Sequence, residues 1–513
     1  MNTIENQASS AVTRDGASGG AANEVVVIDQ RTGGELARHP VATPDEVRST
    51  VQAARAVAAR WWDLGFDGRA AALAAWRRDI AEHAEDCVAL IHAENGKPAE
   101  EARTEVLAVL AHLQFVIDHA ERVLGRRDVE ASAATENQEF WVERLPYGVV
   151  AVIGPWNFPL MTPGAIVIHA MAAGNAVVLK PSQITPGVGR WMVDSWKRAA
   201  PDLADVLGCL IGFGQTGSRL IDAGVDKVAF TGSVNSGRAV AAQCAVSLTP
   251  TLLELGGNDG VIVAGDADLD DAAKHIAWGS MQNAGLGCIS LEVAYVVESV
   301  HDAFVEKLVA AMRTIRVGSG EDAQIGPVPL PTQVPVVQRH IQDALDRGAT
   351  VALGGADAVH DERYLSPTVI DHVPADALAA TEETFGPTIA VVTVRDVDEA
   401  VERINGSAYG LGSAVFSATQ GVDIARRLRV GMTTVNDVIV ISQNPGMPFG
   451  GRGDSGYGRK HGVEGLLEFG FPHSISVKTG PAQRPSTTFD RPPGAVKAGL
   501  AAVAQSILAT PSA

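Results

Sequence analysis

The chain has 513 residues, 46% of them hydrophobic and 20% charged, the profile of a soluble globular protein too long for one small core, so two or three domains are expected. Acidic residues number 60 against 41 basic ones, for a formal charge of −19, and they are spread through helical text; that balance repels nucleic acid and anionic membrane and excludes both as partners. Cys87, Cys209, Cys244 and Cys288 lie far apart with no CxxC pair, which argues against a zinc site or a disulfide framework and fits a reducing compartment.

Residues 1–24 carry neither a basic n-region nor an apolar h-region and read as a flexible tail. No later segment reaches the roughly 18 uncharged apolar residues of a membrane span, so the expected location is cytoplasmic. From Thr43, the text TPDEVRSTVQAARAVAARWW has a Thr N-cap, Pro at the first helical position and Glu three after the cap. Helical text continues over 69–94 and 99–123. QEFWVER at 138–144 alternates apolar and polar side chains, as does SISVKT at 474–479; such ribbons predict edge strands that pair with each other or with another subunit.

Between these ribbons come short, nearly continuous apolar runs, each followed by helical text: GVVAVIG at 148–154, NAVVLK at 175–180 and KVAFTG at 227–232. That is how a parallel sheet covered on both faces reads, so the fold class is α/β. A second series, GVIVA at 260–264, VAYVVES at 293–299, AVVTV at 390–394, GSAVFS at 412–417 and TTVND at 433–437, predicts a second α/β domain. The tail at 481–513 is rich in Pro, Ser and Ala, with one weakly amphipathic segment at 496–508 that packs on the body or frays.

Several short motifs could carry chemistry. TGSVNSG at 231–237 follows a strand and opens a helix, a setting for a pyrophosphate or for a plain turn. A formal GxGxxG at 451–456 has no strand leading into it and no helix after it, so it is not expected to bind phosphate. LKPS at 179–182 ends a strand with Lys180, either an ordinary exposed lysine or a cation placed at the carboxyl edge of a sheet. Glu254, between apolar residues and two glycines, is either a paired structural charge or a base with a raised pKa. Cys288 lies in QNAGLGCIS among small residues with no basic neighbour; a free thiol is mostly protonated at neutral pH, so its activation must come from elsewhere in the chain.

PWNFP at 155–159, LKPS, FTGS at 230–233, ELGG at 254–257, NAGLGC at 283–288, EETFGP at 382–387 and PFGG at 448–451 occur in one order. Together they resemble the NAD(P)-dependent aldehyde dehydrogenase superfamily, from about residue 25 to about residue 480. The resemblance implies a Rossmann-type cofactor domain (25–127 and 147–255), an α/β catalytic domain (256–469), a small β oligomerisation ribbon (128–146 and 470–482) and tails at 1–24 and 483–513. It also implies a homodimer or homotetramer.

By the same resemblance an aldehyde is oxidised to the acid with NAD(P)⁺ and water through a thiohemiacetal and a thioester on Cys288. Glu254, 34 positions upstream, is the general base; the Asn157 amide and the Cys288 backbone N–H are the oxyanion donors. The thiolate would be favoured by the loop's backbone donors, the cationic nicotinamide and a distant carboxylate. Lys180 is assigned to the adenosine ribose, Ser233 to the pyrophosphate, Glu383 to the nicotinamide ribose and Phe385 to the nicotinamide side. Ile153, Pro155, Trp156, Ser182, Gln183, Gly232, Gly237 and Leu255 complete the implied cofactor set. Phe158, Met161, Gly287, Ile289 and Phe449 are the implied substrate contacts, with Thr162 and Ala165 at the entrance, and no metal is implied.

Two positions depart from the family pattern. Leu286 stands where Gln is frequent and Val293 where Arg is frequent, which bears on loop packing rather than on the chemical step. Gln183 stands where NAD-preferring relatives often have Glu; without that carboxylate's repulsion of a 2′-phosphate, NAD⁺ is expected with NADP⁺ tolerated. The expected substrate is a medium-length aliphatic or aromatic aldehyde. A CoA-acylating relative and a non-catalytic scaffold with the same fold are the alternative readings; CoA-acylating enzymes generally lack the carboxylate that Glu254 supplies.

Overall fold

Thr43 starts the first long helix as its sequence directs. In the computed structural model, which describes residues 23–132, 135–360, 363–481, 488–489 and 492–509, the Thr43 hydroxyl accepts from the Glu46 N–H at 3.2 Å. The Glu46 carboxylate accepts from the Thr43 N–H at 2.7 Å, closing a reciprocal cap on the helix Pro44–Asp63. The helices Gly65–Glu82, Ala84–Asn95 and Ala99–Leu124 follow. They bury one apolar core in which the Trp61 and Trp76 rings each meet Trp196 edge-on, at 5.7 and 5.6 Å between centroids. Of the tail predicted at 1–24, residues 1–22 lie outside the described residues; Glu24 already begins the strand Glu24–Ile28.

The apolar runs form a six-stranded sheet in the order Gly456–Tyr457, Thr251–Glu254, Lys227–Thr231, Val149–Ile153, Ala176–Lys180, Leu207–Cys209. Every pair is parallel except the first, in which Gly456 lies opposite Glu254. The strands VVAVI and AVVLK are buried at every position, because helices cover both faces. The register aligns their carboxyl ends: Ile153 pairs with Lys180 and Phe230, and Thr231 pairs with Glu254. PWNFP, LKPS, FTGS and ELGG therefore leave one edge of one sheet, where open α/β sheets place their ligands.

A seven-stranded sheet follows in the order Thr350–Leu353, Thr368–Asp371, Thr388–Val394, Leu291–Val297, Asp259–Val263, Ser413–Phe416, Thr434–Val435. Cys288 enters this sheet just before Leu291, and the EETFGP loop enters it just before Thr388. The chain passes from the first sheet to the second in the four residues between Glu254 and Asp259. The carboxyl edge of one sheet thus meets the amino edge of the other, and the recognised motifs lie at that junction.

The two alternating ribbons pair with each other. Gly470–Lys478 runs antiparallel to Gln138–Pro146 along its whole length and forms the open edge of a three-stranded sheet. The formal GxGxxG forms a short turn, Gly453–Ser455, that leads into the strand Gly456–Tyr457 and opens no α-helix. Ala495–Ala509 is a helix with no buried residue, exposed at every position but the half-buried Gly499. Residues 482–487, 490–491 and 510–513 of the tail lie outside the described residues. Among the described residues no helix is long and apolar enough to cross a membrane.

Candidate active site

Glu254 ends its strand 2% exposed, and neither carboxylate oxygen has a hydrogen-bond partner. Burial pushes its carboxyl up to about 8; Lys460 and Arg459 oppose that rise and Glu468 adds to it. Glu254 is thus not a paired structural charge among the described residues, and its carboxyl has the raised pKa of the second reading. The backbone at Gly450 comes in against it: φ is +153°, and a Cβ there would stand 2.9 Å from Glu254 Oε1 and 2.7 Å from the Gly458 carbonyl. Only glycine lets the PFGG turn pass so close.

Cys288 is half-buried and packs with Ile289 and Ile441 against Leu411, Met432 and Phe449. Burial pushes its thiol up to about 12; Lys460 opposes this, and Glu254, Asp259 and Glu383 add to it. Three carboxylates and one ammonium therefore reach the sulfur electrostatically, and two of the four groups, Glu254 and Glu383, come from recognised motifs. Without cofactor the environment favours the thiol, so the loop's own donors do not by themselves produce the expected thiolate. The loop is held in an uncommon backbone: Asn283, Ala284 and Gly285 all have positive φ, at 52°, 55° and 69°. A Cβ on Gly285 would run into the Gly386 carbonyl, so this glycine seats the cysteine loop on the EETFGP loop.

Asn157 is buried, and its Nδ2 donates to the Leu286 carbonyl at 2.8 Å. Its own carbonyl accepts from Lys97 Nζ at 2.8 Å and from Asn283 Nδ2 at 2.9 Å. Lys97 is ion-paired to Glu105 at 2.7 Å, and the other Glu105 oxygen accepts the Leu160 and Met161 N–H groups at 3.0 Å each. Glu101 accepts the Asn283 N–H at 2.7 Å, and burial pushes its carboxyl up to about 7. The sequence reading missed this brace; its only trace there is the text NGKP with a glutamate eight residues after the lysine.

Leu286 and Val293, the two departures from the pattern, are each 1% exposed in an apolar cluster with Ala284 and Val337. Apolar packing thus holds this side of the loop. Next to Val293, Glu292 accepts the Thr384 and Phe385 N–H groups at 2.6 and 2.9 Å and so fixes the EETFGP loop. Glu383 accepts the Gly257 N–H at 3.0 Å, and burial pushes its carboxyl up to about 8. Phe385 meets Trp156 edge-on at 5.7 Å. The half-buried Phe158 lies 4.1 Å under Lys97 Nζ, and Met161 opens the next helix.

Along the carboxyl edge of the first sheet, Thr231 Oγ1 is buried without a partner. Lys180 Nζ makes one hydrogen bond, to the Pro181 carbonyl at 2.9 Å, and burial lowers its pKa to about 8. It is not the ordinary exposed lysine. Ser233 caps the helix Val234–Ser247, with Gly232 bonded to the Glu254 carbonyl at 3.2 Å and Gly237 to that of Ser233 at 2.9 Å. The Leu255 N–H donates to Ser455, and Ser182 Oγ accepts from Ile184, both at 3.2 Å; Ile153, Pro155 and Gln183 border the same edge. An orphaned hydroxyl, an ammonium with donors to spare and a capped helix N-terminus suit a dinucleotide with a pyrophosphate centre. The set fits the implied cofactor.

Lys460 was also missed: it is 3% exposed, with its Nζ 4.1 Å above the Phe449 ring. Behind it His461, His112 and His169 cluster, with 4.1 Å between the His461 and His112 ring centroids. Nothing in GRKHG at 458–462 distinguishes this lysine from a surface one.

The aldehyde dehydrogenase family matches the chain over residues 18–473. A 4,4′-diapolycopene aldehyde oxidase of a Methylomonas species is 35% identical over 459 residues, covering 88% of this chain and 85% of that protein. The succinate-semialdehyde dehydrogenase [NADP(+)] of Escherichia coli strain K12 is 33% identical over 453 residues, covering 86% and 92%. Among solved structures, the NAD-dependent aldehyde dehydrogenase of Sinorhizobium meliloti superposes with a TM-score of 0.86 at 31% identity, covering 92% of this chain and 95% of that one.

Proposed function

The chain belongs to the aldehyde dehydrogenase family and oxidises aldehydes to carboxylic acids, and from that premise we propose that it works through Cys288 as nucleophile and Glu254 as base. The Cys288 sulfur attacks the aldehyde carbon, and the thiol proton passes through water to Glu254. The oxyanion of the thiohemiacetal takes the second Nδ2 hydrogen of Asn157, the first being held by Leu286, together with the Cys288 backbone N–H. A bound nicotinamide supplies the hydride acceptor. Once Glu254 has passed that proton on to solvent, its carboxylate deprotonates the water that cleaves the thioester and releases the Cys288 thiolate, a role suited to a carboxyl pushed up to about 8. The observation that carries this reading is the Glu254 carboxylate, buried, unpartnered and electrostatically coupled to the Cys288 thiol. Cofactor reduction over a panel of aldehydes tests it: Cys288→Ala should abolish turnover, and retained turnover would remove the assignment.

The cofactor is NAD⁺ with NADP⁺ tolerated, because the half-buried Gln183 presents no charge to a 2′-phosphate. Lys180 and Ser182 would hold the adenosine end, Ser233 the pyrophosphate and Glu383 the nicotinamide ribose. Phe158, Met161, Ile289 and Phe449 would line the substrate channel. Glu254 argues for water rather than CoA as acyl acceptor, and product analysis with and without CoA checks this. The open strand Gly470–Lys478, with Phe471 and Val477 exposed, supports assembly as a homodimer or homotetramer. The proposed location is cytoplasmic.

A further inference from the structure

Four lysines are almost fully buried: Lys97, Lys180, Lys227 and Lys460. Lys97 is paired with Glu105 and Lys227 with Glu468, each at 2.7 Å, and Lys180 donates to a carbonyl. Lys460 alone has no hydrogen-bond acceptor or carboxylate partner among the described residues; its ammonium rests on the face of Phe449. Leaving a buried charge unpaired is costly, so the position calls for a compensating reason.

The backbone defines where this charge acts. Phe449 and Lys460 bridge each other through two hydrogen bonds, Phe449 N to Lys460 O at 2.7 Å and Lys460 N to Phe449 O at 2.9 Å. Gly450, the next residue, lies against Glu254, while the Phe449 side chain packs in one cluster with Cys288. Lys460 is thus anchored to the turn that touches both reacting groups. The other groups around it leave its field uncompensated. His112 from the helix Ala99–Leu124, His169 from Met161–Ala172 and the adjacent His461 are buried and kept neutral by burial, with the His169 pKa lowered to about 4. Arg459 is spent on the Gly451 and Gly458 carbonyls at 2.9 and 2.6 Å, and Glu468 on Lys227. Asp259 accepts from Gly412 and Glu383 from Gly257. Among the groups that act on the Cys288 thiol, Lys460 is the one that favours its ionisation.

We propose that Lys460 is a positioning residue for the reaction: its unpaired ammonium is a fixed positive charge that favours, together with Arg459, the carboxylate of Glu254 and, by itself, the thiolate of Cys288. The inference rests on the roles assigned above to those two residues. It supplies part of the activation that the cysteine's own loop does not, because a cation in a poorly polarisable site acts at greater range than in water.

The test is the pH dependence of Cys288 alkylation by iodoacetamide in the full chain without cofactor, with the modified peptide identified by mass. In Lys460→Met the alkylation midpoint should rise by about one pH unit or more, which means roughly tenfold slower modification below the midpoint. Lys460→Arg, which keeps the charge, should restore the profile. In turnover of an uncharged aldehyde kcat should fall with the same pH displacement while KM changes little. Should the methionine variant not fold, Lys460→Gln removes the charge with a polar end group and gives the same readout. Superimposable alkylation profiles in parent and charge-free variant would overturn the proposal, as would a defect confined to KM for carboxylate-bearing aldehydes, which would make Lys460 a substrate contact. If the parent is not alkylated at Cys288 at all, the assignment of that cysteine fails first and the inference falls with it.

Discussion

The side-chain nitrogen of Asn157 donates to the backbone carbonyl of Leu286 at 2.8 Å, tying a loop from the end of one sheet to the cysteine loop at the start of the other. The bond uses one of the amide's two hydrogens, and the second goes to the oxyanion in the proposed mechanism. Asn157→Ala should therefore lose both an oxyanion donor and a tether. The expected fall in kcat is about 10²–10³-fold, or about 2.7–4 kcal/mol, with KM for the aldehyde little changed. Steady-state kinetics check it, and an unaltered kcat would remove Asn157 from the reaction.

The brace behind Asn157 predicts a different pattern. Lys97→Met leaves Glu105 buried without its cation, and breaking such a pair typically costs about 3–5 kcal/mol. Adding Glu105→Gln relieves the stranded charge, so the double variant should melt higher than Lys97→Met alone. Thermal unfolding of the single and double variants tests this; equal melting temperatures would show that the pair is not coupled.

The pH response of Glu254 has a defined sign. Its folded pKa, about 8, lies above the usual carboxylate value, so the folded state holds an extra proton over that interval. The group's contribution to stability is full below the unfolded pKa of about 4.3 and is lost as pH rises towards the folded value. Glu254→Gln should therefore gain stability relative to the parent at alkaline pH, and acyl-enzyme hydrolysis in the parent should rise with pH with its midpoint near 8. Unfolding and single-turnover measurements across pH check both. A hydrolysis step independent of pH from 6 to 9, roughly the window in which such a base titrates, would contradict the role.

If Gln183 borders the adenosine ribose as proposed, Gln183→Glu places a carboxylate where a 2′-phosphate would lie. NADP⁺ should be selectively disfavoured, with its KM rising at least tenfold while that for NAD⁺ moves little, a discrimination of about 1.4 kcal/mol. A parallel change for both cofactors would place Gln183 away from the ribose.

Much of the fold could be read from local pattern. The Thr43 cap and the runs at 149–153 and 176–180 depend on neighbours within a few positions, and those signals survive into the structure. The pairing of Gly470–Lys478 with Gln138–Pro146 was left open, because alternation reveals a half-buried strand but not its partner. Lys97 and Lys460 escaped notice for a related reason. A lysine in a sequence reads as solvated, and only tertiary packing shows Lys97 bonded to the Asn157 carbonyl or Lys460 lying over Phe449. The burial of Cys288 was not legible on the same ground: desolvation of the thiol, pushed up to about 12, is a property of what surrounds the loop rather than of the loop.

The most direct test traps the covalent intermediate. In Glu254→Gln, mixed with an aldehyde and NAD⁺, hydrolysis should stall, and intact-mass and peptide analysis should find one acyl group per chain on the Cys288 peptide. An acyl group on another residue, or no adduct during a burst of cofactor reduction, would contradict Cys288 and Glu254 as nucleophile and base.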